Sequence, residues 1–347
     1  MAEKEGILLS SIKGFPEAVS RRLADLWITT AEEFVAAATQ KQGPQGLASY
    51  LGVTEAEIIR LIDLAEAVLP PSFSFAPGRI EQHGLGALDE PQEQGPEDEQ
   101  LAFAAPLPAQ VDLHQRMPSI RDQGRRGTCV AHACVAVREF LLGEASTQID
   151  LSEQFLYWSC KQRDGLVGFP GTYLSTGIGC LKEEGVCREE VWLYNPEPLE
   201  GNEGQGPPPE NAQMDAAKYC IIGSTSLPAR SVSVLKQVLA GRQPVVFVVP
   251  VFNYWWTVPT SFTGDIRLPL PYVDESVGGH AMCLVGYEDD PQVPGGGYFL
   301  ARNSWGTDWA SGNTIPGYCR IPYKYLEQNA RVAYTFWLSP IRQTESP

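Results

Sequence analysis

The chain has 347 residues, 43% apolar, 10% aromatic and 20% charged, and its 26 basic and 42 acidic side chains give a formal charge of −16. Such a surface repels nucleic acid and anionic membranes on average, and the length is enough for two domains. No run reaches the roughly 18 apolar residues of a membrane-crossing helix. Met1-Ala2-Glu3-Lys4-Glu5 lacks the basic start and apolar core of a secretory signal. A cytoplasmic location is expected, with the cysteines at 129, 134, 160, 180, 187, 220, 283 and 319 as reduced thiols. None of them has C-x-x-C spacing, so neither a metal nor another cofactor is expected.

Residues 1–69 read as a small all-helical domain. Ile12-Lys13-Gly14-Phe15-Pro16 makes a tight turn before a helix with apolar Ala18, Val19, Leu23 and Leu26. Thr30-x-x-Glu33 and Thr54-x-x-Glu57 are capping boxes, in which hydroxyl and carboxylate satisfy free backbone N–H groups. The second opens a helix with Ile58, Leu61, Ile62, Ala65 and Leu69 on one side. The turn, with "ITTAEEF" and "LASYLGVTEAEI", is similar to helix-hairpin-helix domains. DNA-binding members of that group have a second glycine whose N–H can meet a phosphate; Pro16 stands there and has no N–H. Residues 1–70 also carry 6 basic and 10 acidic groups. A packing or protein-interaction role is expected, with a regulatory protein as the partner and no nucleic acid.

Residues 70–106 read as a linker. They hold six prolines and the acidic run Asp89 to Glu99, and residues 71–106 carry 1 basic and 7 acidic groups. Such a composition cannot bury enough apolar surface to fold alone. Phe73, Phe75, Ile80, Leu85 and Leu88 are the exceptions, suited to docking on a neighbouring surface. Lying across a cleft, the linker would act as a tethered inhibitor.

From residue 107 to 347 the pattern is denser. Helices are expected from Cys129 to Leu142, from Ser152 through Cys160, from Gly171 to Glu184 and over Val232–Ala240. The runs 244–251, 280–287, 297–304 and 331–338 read as strands. Helices first and strands later make an α+β fold of two lobes.

The residues suited to chemistry come in order. Cys129 follows the loop Gln123-Gly124-Arg125-Arg126-Gly127-Thr128 and begins a helix, whose N-terminal partial charge favours a thiolate. A thiolate nucleophile also needs a base, a group that orients the base, and donors for the oxyanion. His280 in Gly278-Gly279-His280-Ala281 supplies the base, and Asn303 in Asn303-Ser304-Trp305-Gly306 an amide that fixes the ring without adding charge. The Gln123 side chain and the Cys129 N–H are the oxyanion donors. His83, His114 and His132 are expected to be structural or surface groups, and Tyr254-Trp255-Trp256 to pack between lobes.

"VDLHQRMPSIRDQGRRGTCVAHACV", "GGHAMCLVGYEDD" and "YFLARNSWGTDW" resemble the three motifs of papain-like cysteine peptidases, prokaryotic-looking members in particular. The likeness covers roughly 107–340. It implies a papain-like fold, with a helical and a β-barrel-like lobe. It also implies that Cys129 attacks the peptide carbonyl to form a thioester and that His280 protonates the leaving amine. Asn303 would orient His280 and Trp305 shield that contact. Gly171 and Gly279 would border the substrate. Arg126 and Val130 replace a cysteine and an aromatic of the family pattern. An endopeptidase acting on protein or peptide substrates is expected, regulated by its N-terminal third. A peptide ligase or cyclase using the same acyl-enzyme, or a partner-binding module on a degenerate peptidase, remain open.

Overall fold

The structure is a computed structural model and describes residues 4, 6–70, 83–91, 106–143 and 149–338. Phe73, Phe75, Ile80 and most of the acidic run lie outside the described residues.

Four helices come first: α1 (Glu17–Ala24), α2 (Ala31–Ala38), α3 (Gly43–Leu51) and α4 (Glu55–Glu66). Thr30 caps α2 in a full box, with Glu33 returning to the Thr30 N–H. Thr54 accepts from Glu57 N–H, but the Glu57 carboxylate makes no return bond; this helix start is exposed, where water serves. Val19, Leu23, Phe34, Ile58 and Leu61 close a core, while Ala18 faces solvent. That core also takes in Leu268, Leu270 and Val273 from far along the chain. The Leu268 N–H donates to Leu26 O at 3.0 Å.

The main body is built on one antiparallel sheet. Its strands are β1 (Gln110–Asp112), β2 (Gly223–Leu227), β3 (Val245–Phe252), β4 (Ser276–Asp289), β5 (Gly297–Arg302), β6 (Tyr318–Pro322) and β7 (Val332–Trp337), in the order β2-β7-β3-β4-β5-β6 with β1 on β4. Helix α5 (Cys129–Phe140) is buried along its whole length. It packs between α6 (Glu153–Asp164) and α7 (Leu174–Glu183) on one side and β3 and β4 on the other. The Cys283 thiol donates to Ala133 O at 3.1 Å, tying β4 to α5. The shorter helices α8 (Ala212–Ala216), α9 (Val232–Ala240), α10 (Val258–Thr263) and α11 (Tyr323–Asn329) complete the element order. No helix among the described residues is long and apolar enough to cross a membrane.

Helix α5 ends at Phe140 rather than Leu142 and β5 at Arg302 rather than residue 304, and three other predicted elements differ in extent. Strand β4 runs from 276 to 289 rather than 280 to 287, because β3 pairs as far as Phe252↔Ser276 and β1 and β5 take up its far end. Helix α6 continues to Asp164. The helix expected from Gly171 starts at Leu174, because Gly171 has a φ of +89° and Thr172 is paired as extended backbone.

Candidate active site

Cys129 is the first residue of α5, where backbone N–H groups have no partner within the helix. The amide N–H groups of Ala281, Gly86, Val130 and Cys129 itself face its sulfur. The loop before it is pinned from behind. Arg126 is 1% exposed, donates to Gln154 Oε1 at 2.7 Å, Asn195 O at 2.8 Å and Glu203 O at 2.6 Å, and lies between the Tyr157 and Tyr194 rings. A buried polar anchor thus fills the position of the expected cysteine.

His280 is in β4, next in sequence to the Ala281 amide that faces the Cys129 sulfur. Its Nε2 lies 2.7 Å from Asn303 Oδ1, just past β5. An amide oxygen can only accept, so Nε2 carries a proton and Nδ1, which has no partner, is left as the basic nitrogen. The Ser304 N–H also holds Asn303 Oδ1, at 2.8 Å. Trp305 stacks on the imidazole with centroids 4.5 Å apart, and Trp256 stacks on Trp305 at 4.5 Å, so the aromatic cluster 254–256 backs the site. Gln123 is fully buried. Its Oε1 accepts from Ser304 Oγ at 2.7 Å, which aims Nε2 forward.

The cleft is filled by the chain's own residues 83–90. The Gly84 N–H donates to Gly124 O at 3.0 Å, and Gly84 O accepts from Gln123 Nε2 at 2.7 Å. The Gly86 N–H is one of those that face the Cys129 sulfur. Beyond it the segment is threaded between two walls: the Ala87 N–H donates to Gly279 O at 3.1 Å, the Leu88 N–H to Thr172 O at 3.0 Å, and the Thr172 N–H to Gly86 O at 2.8 Å. The approach is too close for side chains. A Cβ on Gly86 would fall 1.9 Å from Gly127 O, and one on Gly279 would fall 2.1 Å from Ala87 O.

Covering the cleft changes the chemistry. Burial pushes the Cys129 thiol up to about 11, against the pull of the four backbone N–H groups. Burial likewise holds His280 down to about 4; the Asn303 bond opposes this and nearby His83 adds to it. Burial of the covered site thus disfavours the charged forms of both groups, the thiolate and the imidazolium.

Gly171 borders the segment, and a Cβ there would meet Gly86 O at 2.7 Å. The main-chain bonds, however, are made by Thr172, which the motif reading missed. Its position is fixed by Asp164, whose Oδ2 accepts from Thr172 Oγ1 at 2.7 Å, and by Tyr157 OH, which accepts from the Gly171 N–H at 2.9 Å. Lys161, fully buried, donates to the carbonyls of Leu166, Phe169 and Gly171 and pairs with Asp164. His83 stacks on Trp305 at 5.5 Å, so it is part of the covering segment rather than the surface. His132 is buried and neutral, 3.1 Å from Thr128 O, and His114 pairs with Asp112. The sequence signal for the covering segment was Gly84-Leu85-Gly86, two glycines around an apolar residue inside an acidic linker.

A family model described as papain family cysteine protease matches residues 107–333. An uncharacterised peptidase C1-like protein of Acanthamoeba polyphaga mimivirus is 29% identical over 241 residues, covering 66% of this chain and 71% of that one. Vignain of Vigna mungo is 26% identical, over 62% of this chain and 54% of its own length. Among solved structures, xylellain, a cysteine protease from Xylella fastidiosa, superposes with a TM-score of 0.60 at 28% identity, covering 75% of this chain and 98% of that one.

Proposed function

The chain belongs to the papain family of cysteine proteases, and on that premise we propose that it is an endopeptidase working through a thioester on Cys129 and held off by its own residues 83–90. In the open enzyme the thiolate attacks the peptide carbonyl. Gln123 Nε2 and the Cys129 N–H receive the oxyanion, His280 gives its proton to the leaving amine, and water then hydrolyses the thioester. Asn303 keeps His280 in one orientation, and Trp305 keeps water from that bond. Arg126, in place of the cysteine found in secreted relatives, fits a reducing compartment such as the cytosol.

The observation that carries the inhibitory half is the pair of contacts around Cys129. Gln123 Nε2, needed for the oxyanion, is taken by Gly84 O. The sulfur meets the Gly86 N–H, which is no electrophile, so the segment blocks the cleft without being cut. The helical unit, packed on Leu268, Leu270 and Val273, is the surface through which a partner would act on this state.

The test uses the full chain and a quenched peptide mixture. Cys129→Ala should lose cleavage by at least about a thousandfold. Gly86→Val, whose side chain cannot fit against Gly127 O, should raise kcat/KM at least tenfold. Activity surviving in Cys129→Ala removes the thiol from the mechanism. A folded Gly86→Val chain no more active than the wild type removes the inhibitory segment. Products carrying an added amine would mark transfer of the acyl group rather than hydrolysis.

A further inference from the structure

The segment in the cleft is held by more than its main chain. Past Leu88 it carries two adjacent carboxylates, and each ends on a group suited to an anion. Asp89 pairs with the Arg331 guanidinium just before β7. Glu90 accepts from the Ser175 N–H at 3.0 Å and from Ser175 Oγ, at the second residue of α7. That first turn has no acidic residue of its own and no side-chain cap, so Glu90 supplies the negative charge this helix end favours.

Arg331 also reaches the cleft wall. A Cβ on Gly279 would lie 3.3 Å from its Nη1, and Gly279 O is the acceptor that pairs with Ala87. At ~3.3 Å per extended residue, Asp89 is three residues and about 10 Å along from Gly86 on the Cys129 sulfur. A guanidinium thus stands over the stretch that a bound chain threads, in a protein whose net charge is −16. Its planar fork matches a carboxylate with two donors, which a lysine in its place would not.

Building on the peptidase reading, we infer that Arg331, with Ser175 opposite, forms an acid-reading subsite: the enzyme selects acidic peptides, with Asp or Glu three to four residues from the scissile bond. Asp89 and Glu90 hold the covering segment by occupying that subsite. Arg331 is the specificity determinant and Ser175 the second anchor.

The test combines Gly86→Val, to unseat the segment, with Cys129→Ala, to prevent turnover, in the full chain. Labelled peptides differing only by Glu, Gln or Lys three and four residues from a common bond are compared by fluorescence anisotropy. The Glu peptides should bind at least tenfold tighter than the Gln peptides. Arg331→Glu should abolish that preference and favour Lys, with an unchanged circular dichroism spectrum; Arg331→Gln, a milder change, should erase the preference without reversing it. Equal affinities, binding by none of the peptides, or a Glu preference untouched in both Arg331 variants would overturn the inference. With Cys129 restored, cleavage of a mixed library should show the same acidic enrichment. Acid-selective binding by a chain that cleaves nothing sinks the peptidase reading alone; cleavage without charge selection sinks this inference alone.

Discussion

Two parts of the chain lie against the peptidase body, and they hold on by different physics. The helical unit shares a hydrophobic core with Leu268, Leu270 and Val273, and Gly46 in α3 leaves the space that Val273 occupies. Arg267 beside it is buried, paired with Asp274 and stacked on the Tyr254 ring at 3.9 Å. Segment 83–90 offers two glycines at its closest approach and is held mainly by backbone hydrogen bonds and two carboxylates. Buried apolar area contributes to the fold at about 25 cal/mol per Å² and is lost only by undocking. A backbone hydrogen bond contributes only about 0.5–1.5 kcal/mol net, and another peptide can replace it. The helical unit is therefore part of the fold, whereas the segment is held through groups that another peptide could use. Truncation near Leu107 would expose Leu268, Leu270 and Val273 along with the cleft, so point substitutions separate the two parts more cleanly.

The largest effect should come from the shared core. Leu270→Ala, at a fully buried site, is expected to cost about 2–5 kcal/mol in urea denaturation and to leave the thiol covered. A loss below 1 kcal/mol, or a gain in peptidase activity, would make the helical unit a cover like the segment. Next, Gly86→Val should hardly change stability but should expose the thiol. In the wild type, alkylation of Cys129 by iodoacetamide should stay slow at neutral pH and rise only towards the value of about 11 to which burial pushes the thiol. The sign follows because burial disfavours the charged thiolate. In Gly86→Val the reaction should already be fast at neutral pH, at least tenfold above the wild type; coincident profiles would mean that the segment does not control the thiol. The smallest effect should come from Thr30→Ala. Losing the cap of α2 is expected to cost about 1 kcal/mol, with peptidase activity unchanged.

Much of the site was legible as local sequence. A cysteine after a glycine-containing loop, a histidine after two glycines and Asn-Ser-Trp-Gly each bring their own backbone geometry, and the structure brings Cys129, His280, Asn303, Gln123 and Trp305 together. The Thr30 box was legible for the same reason: its partners are three residues apart. Strand β2 was not, because Gly223-Ser224-Thr225-Ser226 carries little apolar signal and is a strand through its pairing with β7. Thr172, Ser175 and Arg331 were missed because their roles exist only in contacts with residues 86–90 that span 84 positions or more.

The sequence by itself determined the reacting groups and the longer helices and strands that carry them, because these follow from side-chain chemistry and short-range periodicity. The tertiary structure alone decided where residues 83–90 lie. A peptide without a core of its own takes its shape from the surface it meets, and here that surface is the cleft, with Gly279 and Thr172 as walls and Arg331 at the end.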